Sequence, residues 1–123
     1  MSPDKGRSRS GGTGPDRAPA GEWTLRPAGE QARKEWETAV QSEPELMQRE
    51  RERLVTRPLD RSDNPRRTAQ LKAGLSHRLV GGKRLPQWQR EVTSGGRLWY
   101  CPDKDARVVW IVKVDLGHPS ETA

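Results

Sequence analysis

The apolar residues in the first half of the chain recur at helical spacing. Ala32, Trp36 and Val40 lie four residues apart, which predicts a helix over residues 29–41 with one apolar face. A second helix is predicted over residues 44–56, because a proline stands in its first turn, where the missing N–H costs little. An Arg-Pro pair directly after this segment ends the helix.

The second half of the chain alternates between apolar and polar residues, which is typical of strands. Four candidate strands lie in this half, and a short first strand precedes the helices. Together the five cover residues 22–26, 69–75, 85–93, 97–101 and 107–115. A Ser-Gly-Gly sequence between the third and fourth of them marks a tight turn. The last strand is mostly β-branched and apolar, so we expect it in the middle of the sheet, covered on both faces.

The order of these elements predicts an α+β domain. Two N-terminal helices are expected to pack on one face of a small, mostly antiparallel twisted sheet and to bury the tryptophans there. The other face is expected to stay open and to be ringed by basic residues. Residues 1–20 consist largely of Gly, Pro, Ser and charged residues, which predicts a disordered basic tail ahead of a single domain over residues 21–123.

The charge distribution points to a polyanionic or acidic partner. The formal net charge is +6, and the stretch from Pro65 to Arg90 contains seven basic residues and no acidic one. Such a surface attracts RNA, DNA, a membrane surface or an acidic protein. We expect it to face phosphate, and the alternative is an ordinary solvated run of charge.

Cysteine content and hydropathy exclude several classes of protein. The single Cys101 allows neither an internal disulfide nor a zinc site built from several cysteines, and its apolar surroundings predict a packed thiol rather than a nucleophile. No apolar run approaches the roughly 20 residues that span a bilayer, and no secretion signal stands at the N-terminus. We therefore expect a cytoplasmic protein with no membrane association, no metal and no cofactor.

Several segments of the second half resemble a known family. They are Gln70-Leu71-Lys72-Ala73-Gly74, Trp88-Gln89-Arg90-Glu91-Val92-Thr93, Gly95-Gly96-Arg97-Leu98-Trp99-Tyr100 and Gly117-His118-Pro119. In this order, over roughly residues 23–121, they are similar to the RelE/ParE toxins of type II toxin–antitoxin systems, most closely to a branch common in high-GC Gram-positive bacteria.

The resemblance implies a compact fold like that of the microbial RNases. RelE-type members cleave messenger RNA, commonly in the ribosomal A site, and a cognate antitoxin holds them inactive. ParE-type members share the fold, lack the nuclease residues and poison DNA gyrase. Fold alone does not separate the two activities, because function depends on the site.

Metal-independent RNA cleavage needs a base for the attacking 2′-hydroxyl, cations for the phosphate and an acid for the leaving oxygen. Arg97 matches the family's strand arginine and is expected to clamp phosphate, since its planar guanidinium always stays charged. His118 is the candidate acid or base at the end of the last strand, and Glu91 is a candidate general base. The alternatives are a surface arginine and a loop histidine.

Further contacts with RNA phosphates are expected from basic and hydroxyl side chains around the sheet: Lys72, Arg78, Lys83, Arg84, Arg90 and Tyr100. Tyr100 has core packing as its alternative, and so have Trp88 and Trp99, which are candidates for stacking on a base. One segment departs from the family. RelE nucleases often carry two lysines at alternate positions of the strand before the glycine turn, where this chain has Gln89-Arg90-Glu91.

Three functions follow from these residues. The first is a toxin that cleaves mRNA at the ribosome, with Arg97 and His118 central, and that is restrained by an antitoxin whose acidic helix covers the basic sheet face. The second is a non-catalytic inhibitor of DNA gyrase in the manner of ParE. The third is a basic RNA-binding protein without nuclease activity.

Overall fold

The computed structural model describes residues 22–62 and 66–117. Two helices follow a first strand: β1 (Thr24–Pro27), α1 (Glu30–Ser42) and α2 (Pro44–Thr56). The remaining elements are β2 (Thr68–Gln70), a 3-10 helix (Ala73–Leu75), β3 (His77–Val80), β4 (Lys83–Pro86), β5 (Trp88–Glu91), β6 (Arg97–Asp103) and β7 (Val108–Asp115). The predicted tail over residues 1–20 and the candidate residue His118 lie outside the described residues.

Five strands form the main sheet in the order β1-β7-β6-β5-β2. β1 pairs in parallel with β7, and the other three pairings are antiparallel. β1 and β7 are the first and last strands of the chain, so the rest of the domain supplies the long connection that parallel neighbours need. The α+β class with a mostly antiparallel sheet is confirmed, and so is the interior position of the last strand.

Both helices contribute to the main core on one side of this sheet. α1 lies over β7 and β1, and its buried residues Ala32 and Ala39 recur on one face. α2 contributes Met47 and Leu54, which pack with Tyr100 of β6. The predicted boundaries of both helices are confirmed to within one residue.

A hairpin that the sequence did not predict covers part of the opposite face. β3 and β4 pair with each other in a separate two-stranded sheet, joined by Gly81 and Gly82, whose φ angles are +58° and +84°. Positive φ at both central positions is the geometry of a two-residue hairpin turn. Residues 85–93, predicted as one strand, are therefore divided between β4 and β5.

The hairpin forms a second, smaller core. Val80 and Leu85 from the hairpin pack on Cys101 of β6, with Trp110 half-buried beside them. The expectation of a fully open second face is therefore wrong around Cys101. The helices do not bury all the tryptophans either, because Trp110 lies under the hairpin and Trp99 lies on the part of this face that remains uncovered.

No helix within the described parts of the chain is both long enough and apolar enough to cross a membrane.

Candidate nucleic-acid interface

The part of the sheet that no other described element covers presents two rows of partly or fully exposed side chains, which run across three strands. We call this surface the open sheet face. Its rows are Glu91–Arg97–Asp115 and Gln89–Trp99–Lys113, each taken from β5, β6 and β7 in register. The neighbours Leu98 and Val114 are buried on the helix side, as expected when successive side chains of a strand point to opposite faces.

Arg97 lies at the centre of the first row. Its side chain is exposed, and its cross-strand partners are the carboxylate residues Glu91 on β5 and Asp115 on β7. Opposite charges on directly paired strand positions attract each other. The structure therefore brings together two of the three predicted catalytic residues, Arg97 and Glu91.

Arg67, in the turn just before β2, supports this row. Its Nε and Nη2 atoms donate to the carbonyl oxygen of Glu91 at 3.0 and 2.7 Å, and the Glu91 N–H donates to the carbonyl oxygen of Arg67 at 2.7 Å. These bonds fix the end of β5, and with it the backbone from which the Glu91 carboxylate projects.

The second row holds an oriented indole. Trp99 Nε1 donates a hydrogen bond to Gln89 Oε1 at 2.8 Å. From the other side, the Lys113 ammonium nitrogen lies 5.9 Å from the centre of the Trp99 ring, within the range of a cation–π contact. An amide, an aromatic ring and a cation thus lie side by side on this row.

Lys113 was missed by the sequence analysis, and an irregularity in β7 explains why. Trp99 pairs with Lys113 but Tyr100 pairs with Ile111, so Val112 is an extra residue in the register. Such a bulge reverses the alternation beyond it, which turns Lys113 outward and Val114 inward. The N–H of Val114 donates to Glu35 Oε1 of α1 at 2.8 Å, so a helix side chain holds the bulged strand.

The described chain ends beside Arg97. A Cβ atom added to Gly117, whose φ is +75°, would lie 3.1 Å from the carbonyl oxygen of Gly95. A Cβ atom on Gly96 would meet the Thr93 hydroxyl oxygen and the Leu116 backbone. Residues 116–117 therefore pass directly against the turn that precedes Arg97, and His118, which follows next in the chain, lies outside the described residues.

Arg90 is not available to phosphate, and that prediction is wrong. Its Nε donates to Glu50 Oε1 at 2.5 Å and its Nη1 donates to Thr68 Oγ1 at 2.8 Å, on the helix side of the sheet. Both partners of the ion pair are 7% exposed at the side chain. Arg90 therefore joins β5 to α2 and β2.

Tyr100 is also a core residue rather than an RNA contact. It is fully buried, and its hydroxyl group donates to the carbonyl oxygen of Pro58 at 2.6 Å. Burial raises the pKa of Tyr100 far above the ordinary value.

Cys101, the next residue of β6, is buried under the hairpin. Burial raises the pKa of the Cys101 thiol to about 11, and the prediction of a packed thiol is confirmed.

The remaining predicted cations lie on the hairpin and on the turn before it, and not on β5, β6 or β7. Lys83 donates to Asp103 Oδ2 at 2.7 Å, which raises the pKa of Lys83. Lys72, Arg78 and Arg84 are exposed. The two arginines line a surface hollow of about 350 Å³ together with His77, whose Nδ1 lies 2.9 Å from Ser76 Oγ. The structure does not bring this group together with Arg97.

No cluster of three or more His, Cys, Asp or Glu side chains with the geometry of a metal site occurs among residues 22–62 and 66–117.

Comparison with known proteins gives no match of any kind: no protein-family model, no curated protein and no solved structure matches this chain.

Proposed function

We propose that this chain is the toxin of a type II toxin–antitoxin system and acts as a metal-independent endoribonuclease of the RelE type on mRNA at the ribosome. The observation that carries the proposal is the placement of Arg97. This guanidinium is exposed on the open sheet face, in register with the carboxylate residue Glu91. A cation and a proton acceptor side by side on an accessible surface are two of the three groups that cleavage by a 2′-hydroxyl group requires.

The element order supports the same proposal. The chain runs strand, helix, helix and then antiparallel strands, and the last strand, β7, lies parallel beside β1. This order agrees with the resemblance to RelE/ParE toxins in the sequence. The β3–β4 hairpin lies between β2 and β5 in the chain.

In the proposed reaction, the 2′-oxygen of one nucleotide attacks the adjacent phosphorus atom. Glu91 accepts the proton of the 2′-hydroxyl group, a new bond forms between the 2′-oxygen and phosphorus, and the bond from phosphorus to the 5′-oxygen breaks. His118 donates a proton to the departing 5′-oxygen. The products are a 2′,3′-cyclic phosphate and a 5′-hydroxyl end.

Arg97 stabilises the charge that develops on the phosphate. Its planar guanidinium suits two phosphate oxygens at once. Lys113 supplies a second cation on the same face, one row away. Because Arg90 is paired with Glu50 in the core, β5 presents only Gln89 and Glu91 here, so β6 and β7 provide the cations that other RelE nucleases carry on the preceding strand.

As a toxin of this class, the chain has a cognate antitoxin as its partner. An acidic helix of the antitoxin lies over the open sheet face, where it opposes Arg97 and Lys113 and blocks access to RNA. The exposure of both cations supports this arrangement.

The test is induced expression of the wild-type chain and of Arg97→Ala, Glu91→Gln and His118→Ala variants, with the 5′ ends of cellular mRNA mapped. Growth arrest with new 5′-hydroxyl ends is expected for the wild type and is expected to be lost or strongly reduced in the three variants. Arg49→Ala is the matched control, because Arg49 is an exposed arginine of α2. It should behave as wild type.

Two other outcomes would contradict the proposed nuclease activity. Growth arrest without new RNA ends, together with inhibited DNA supercoiling, would assign the chain to the ParE-like gyrase inhibitors. RNA binding without growth arrest or RNA cleavage would identify the chain as a basic RNA-binding protein.

A further inference from the structure

Trp99 differs from the other tryptophans of the chain in its surroundings. Trp23 is buried, Trp36 of α1 and Trp88 of β5 pack against the main core, and Trp110 packs under the hairpin. Trp99 instead lies on the open sheet face, where its described partners are the amide of Gln89 and the ammonium group of Lys113. Its ring therefore fills no part of either core.

We propose that Trp99 is a stacking subsite for one unpaired base of single-stranded RNA, occupied by the nucleotide next to the phosphate that Arg97 binds. The proposal rests on the function proposed above and adds a binding position to it. Aromatic side chains on an exposed sheet are effective platforms for bases, because every base has a face on which an aromatic ring can stack.

The spacing along β6 supports the assignment. Arg97 and Trp99 are two residues apart on one strand, so their side chains point to the same face with Cα atoms about 7 Å apart. One nucleotide can span this separation between its phosphate and its base. Bases inside a duplex are stacked on each other and cannot reach a ring that lies on a sheet, so the subsite selects unpaired RNA.

The ring is held in place before any ligand arrives. The hydrogen bond from Trp99 Nε1 to Gln89 Oε1 fixes its rotation, and a ring that is already ordered loses less entropy on binding. Lys113 lies across the strand pair from Trp99, where its ammonium group can contact the phosphate that follows the stacked base. Gln89 is accordingly a positioning residue, while Trp99 and Lys113 contact the ligand.

The test uses a short, fluorescently labelled, fully 2′-O-methylated single-stranded RNA, which cannot be cleaved, with binding measured by fluorescence anisotropy. Trp99→Leu is expected to weaken binding roughly 5- to 150-fold, the range that loss of one stacked base produces. Trp99→Phe should retain most of the affinity, since a smaller ring still stacks. Gln89→Leu should give a smaller loss, because the ring remains but is no longer fixed.

A single abasic site, moved along the oligonucleotide, then locates the base. At one position the abasic site should weaken binding to the wild type but not to Trp99→Leu. Equal effects of the abasic site on both proteins at every position would overturn the subsite, as would wild-type affinity in Trp99→Leu or no binding of the wild type to the oligonucleotide.

These outcomes separate the subsite from the nuclease. If Trp99→Leu weakens binding with the expected positional effect but the wild type produces no new mRNA ends in cells, the subsite stands and the nuclease fails. If the wild type cleaves mRNA but binding does not depend on Trp99, the nuclease stands and the subsite fails. The circular dichroism spectrum of each variant checks that it is folded.

Discussion

Arg90 and Glu50 form a buried ion pair that joins β5 to α2. The Arg90 Nε atom lies 2.5 Å from Glu50 Oε1, and its Nη1 atom donates to Thr68 Oγ1 on β2 at 2.8 Å. Three elements therefore meet at one guanidinium. Charged groups in such a position are strongly interdependent, because removal of either one leaves the other buried without a partner.

Arg90→Met is expected to destabilise the fold by about 3–5 kcal/mol, because the Glu50 carboxylate would then be buried without a counter-charge. Glu50→Leu should also destabilise it, and the double variant Arg90→Met/Glu50→Leu should be closer to wild type than either single variant. Urea unfolding of the four proteins measures the effect. If the double variant loses the sum of the two single losses, the two side chains do not depend on each other and the pair is not the reason for the loss.

Arg90 also shows what a single sequence leaves undecided. The alternation of β5 places Trp88, Arg90 and Val92 on one face, and that grouping agrees with the structure. Which of its two faces β5 turns toward the helices depends on the ion-pair partner of Arg90. Glu50 stands 40 residues earlier in a helix whose charges looked solvated, so the ion pair has no local signal in the sequence.

The same limit applies to the hairpin and to Lys113. The Gly81–Gly82 pair is a turn signal, but the residues around it alternate too weakly to predict two strands. Lys113 faces outward only because Val112 is an extra residue in the register, and a bulge depends on the neighbouring strand. By contrast, both helices and the strand that follows the 94–96 turn can be predicted from local patterns alone, and those predictions are confirmed.

The ion pair of Lys83 and Asp103 predicts that the stability of the fold depends on pH in the acidic range. Burial on its own raises the pKa of Asp103, but hydrogen bonds from Lys83 and from the Ala106 N–H outweigh it, so the net pKa is lowered below 3.8. The stabilisation is therefore present above pH 3.8 and is lost as the pH falls through the pKa of the folded state. Asp103→Asn should cost on the order of 1 kcal/mol near neutral pH and progressively less below pH 4, because Lys83 is half-exposed and the solvent screens the pair.

Urea unfolding at a series of pH values measures this difference. Asp105→Asn is the matched control, because Asp105 is an exposed carboxylate in the turn that follows β6, and its effect should be small at every pH. A loss in Asp103→Asn that stays constant from neutral pH to pH 3 would contradict the role of the charge.

Cys101 reports on the packing of the hairpin against the sheet. Its pKa is raised to about 11 by burial, so the thiol is almost entirely un-ionised at neutral pH and should react slowly with a thiol reagent in the native state. Leu85→Ala removes part of the cover from Cys101 and should accelerate the reaction, with a loss of stability of roughly 2–5 kcal/mol. Leu79→Ala is the control on the outer side of the same hairpin, where Leu79 is 69% exposed, and should leave the rate unchanged. Equal rates for the two variants would show that the hairpin does not protect the thiol.

The two cations of the open sheet face predict the salt dependence of RNA binding. Each phosphate contact on a single strand contributes about 0.7 to the slope of the logarithm of affinity against the logarithm of salt concentration. Arg97→Ala and Lys113→Ala should each reduce the slope by about this amount, and the double variant by about twice as much, because each cation contacts a different phosphate. Lys34→Ala, at an exposed lysine of α1, is the control and should keep the wild-type slope. Titration of the uncleavable oligonucleotide at several salt concentrations measures the slopes of the wild type and the four variants. If Arg97→Ala lowers affinity equally at every salt concentration, Arg97 does not contact phosphate, and the open sheet face lacks the contact on which the proposed RNA cleavage depends.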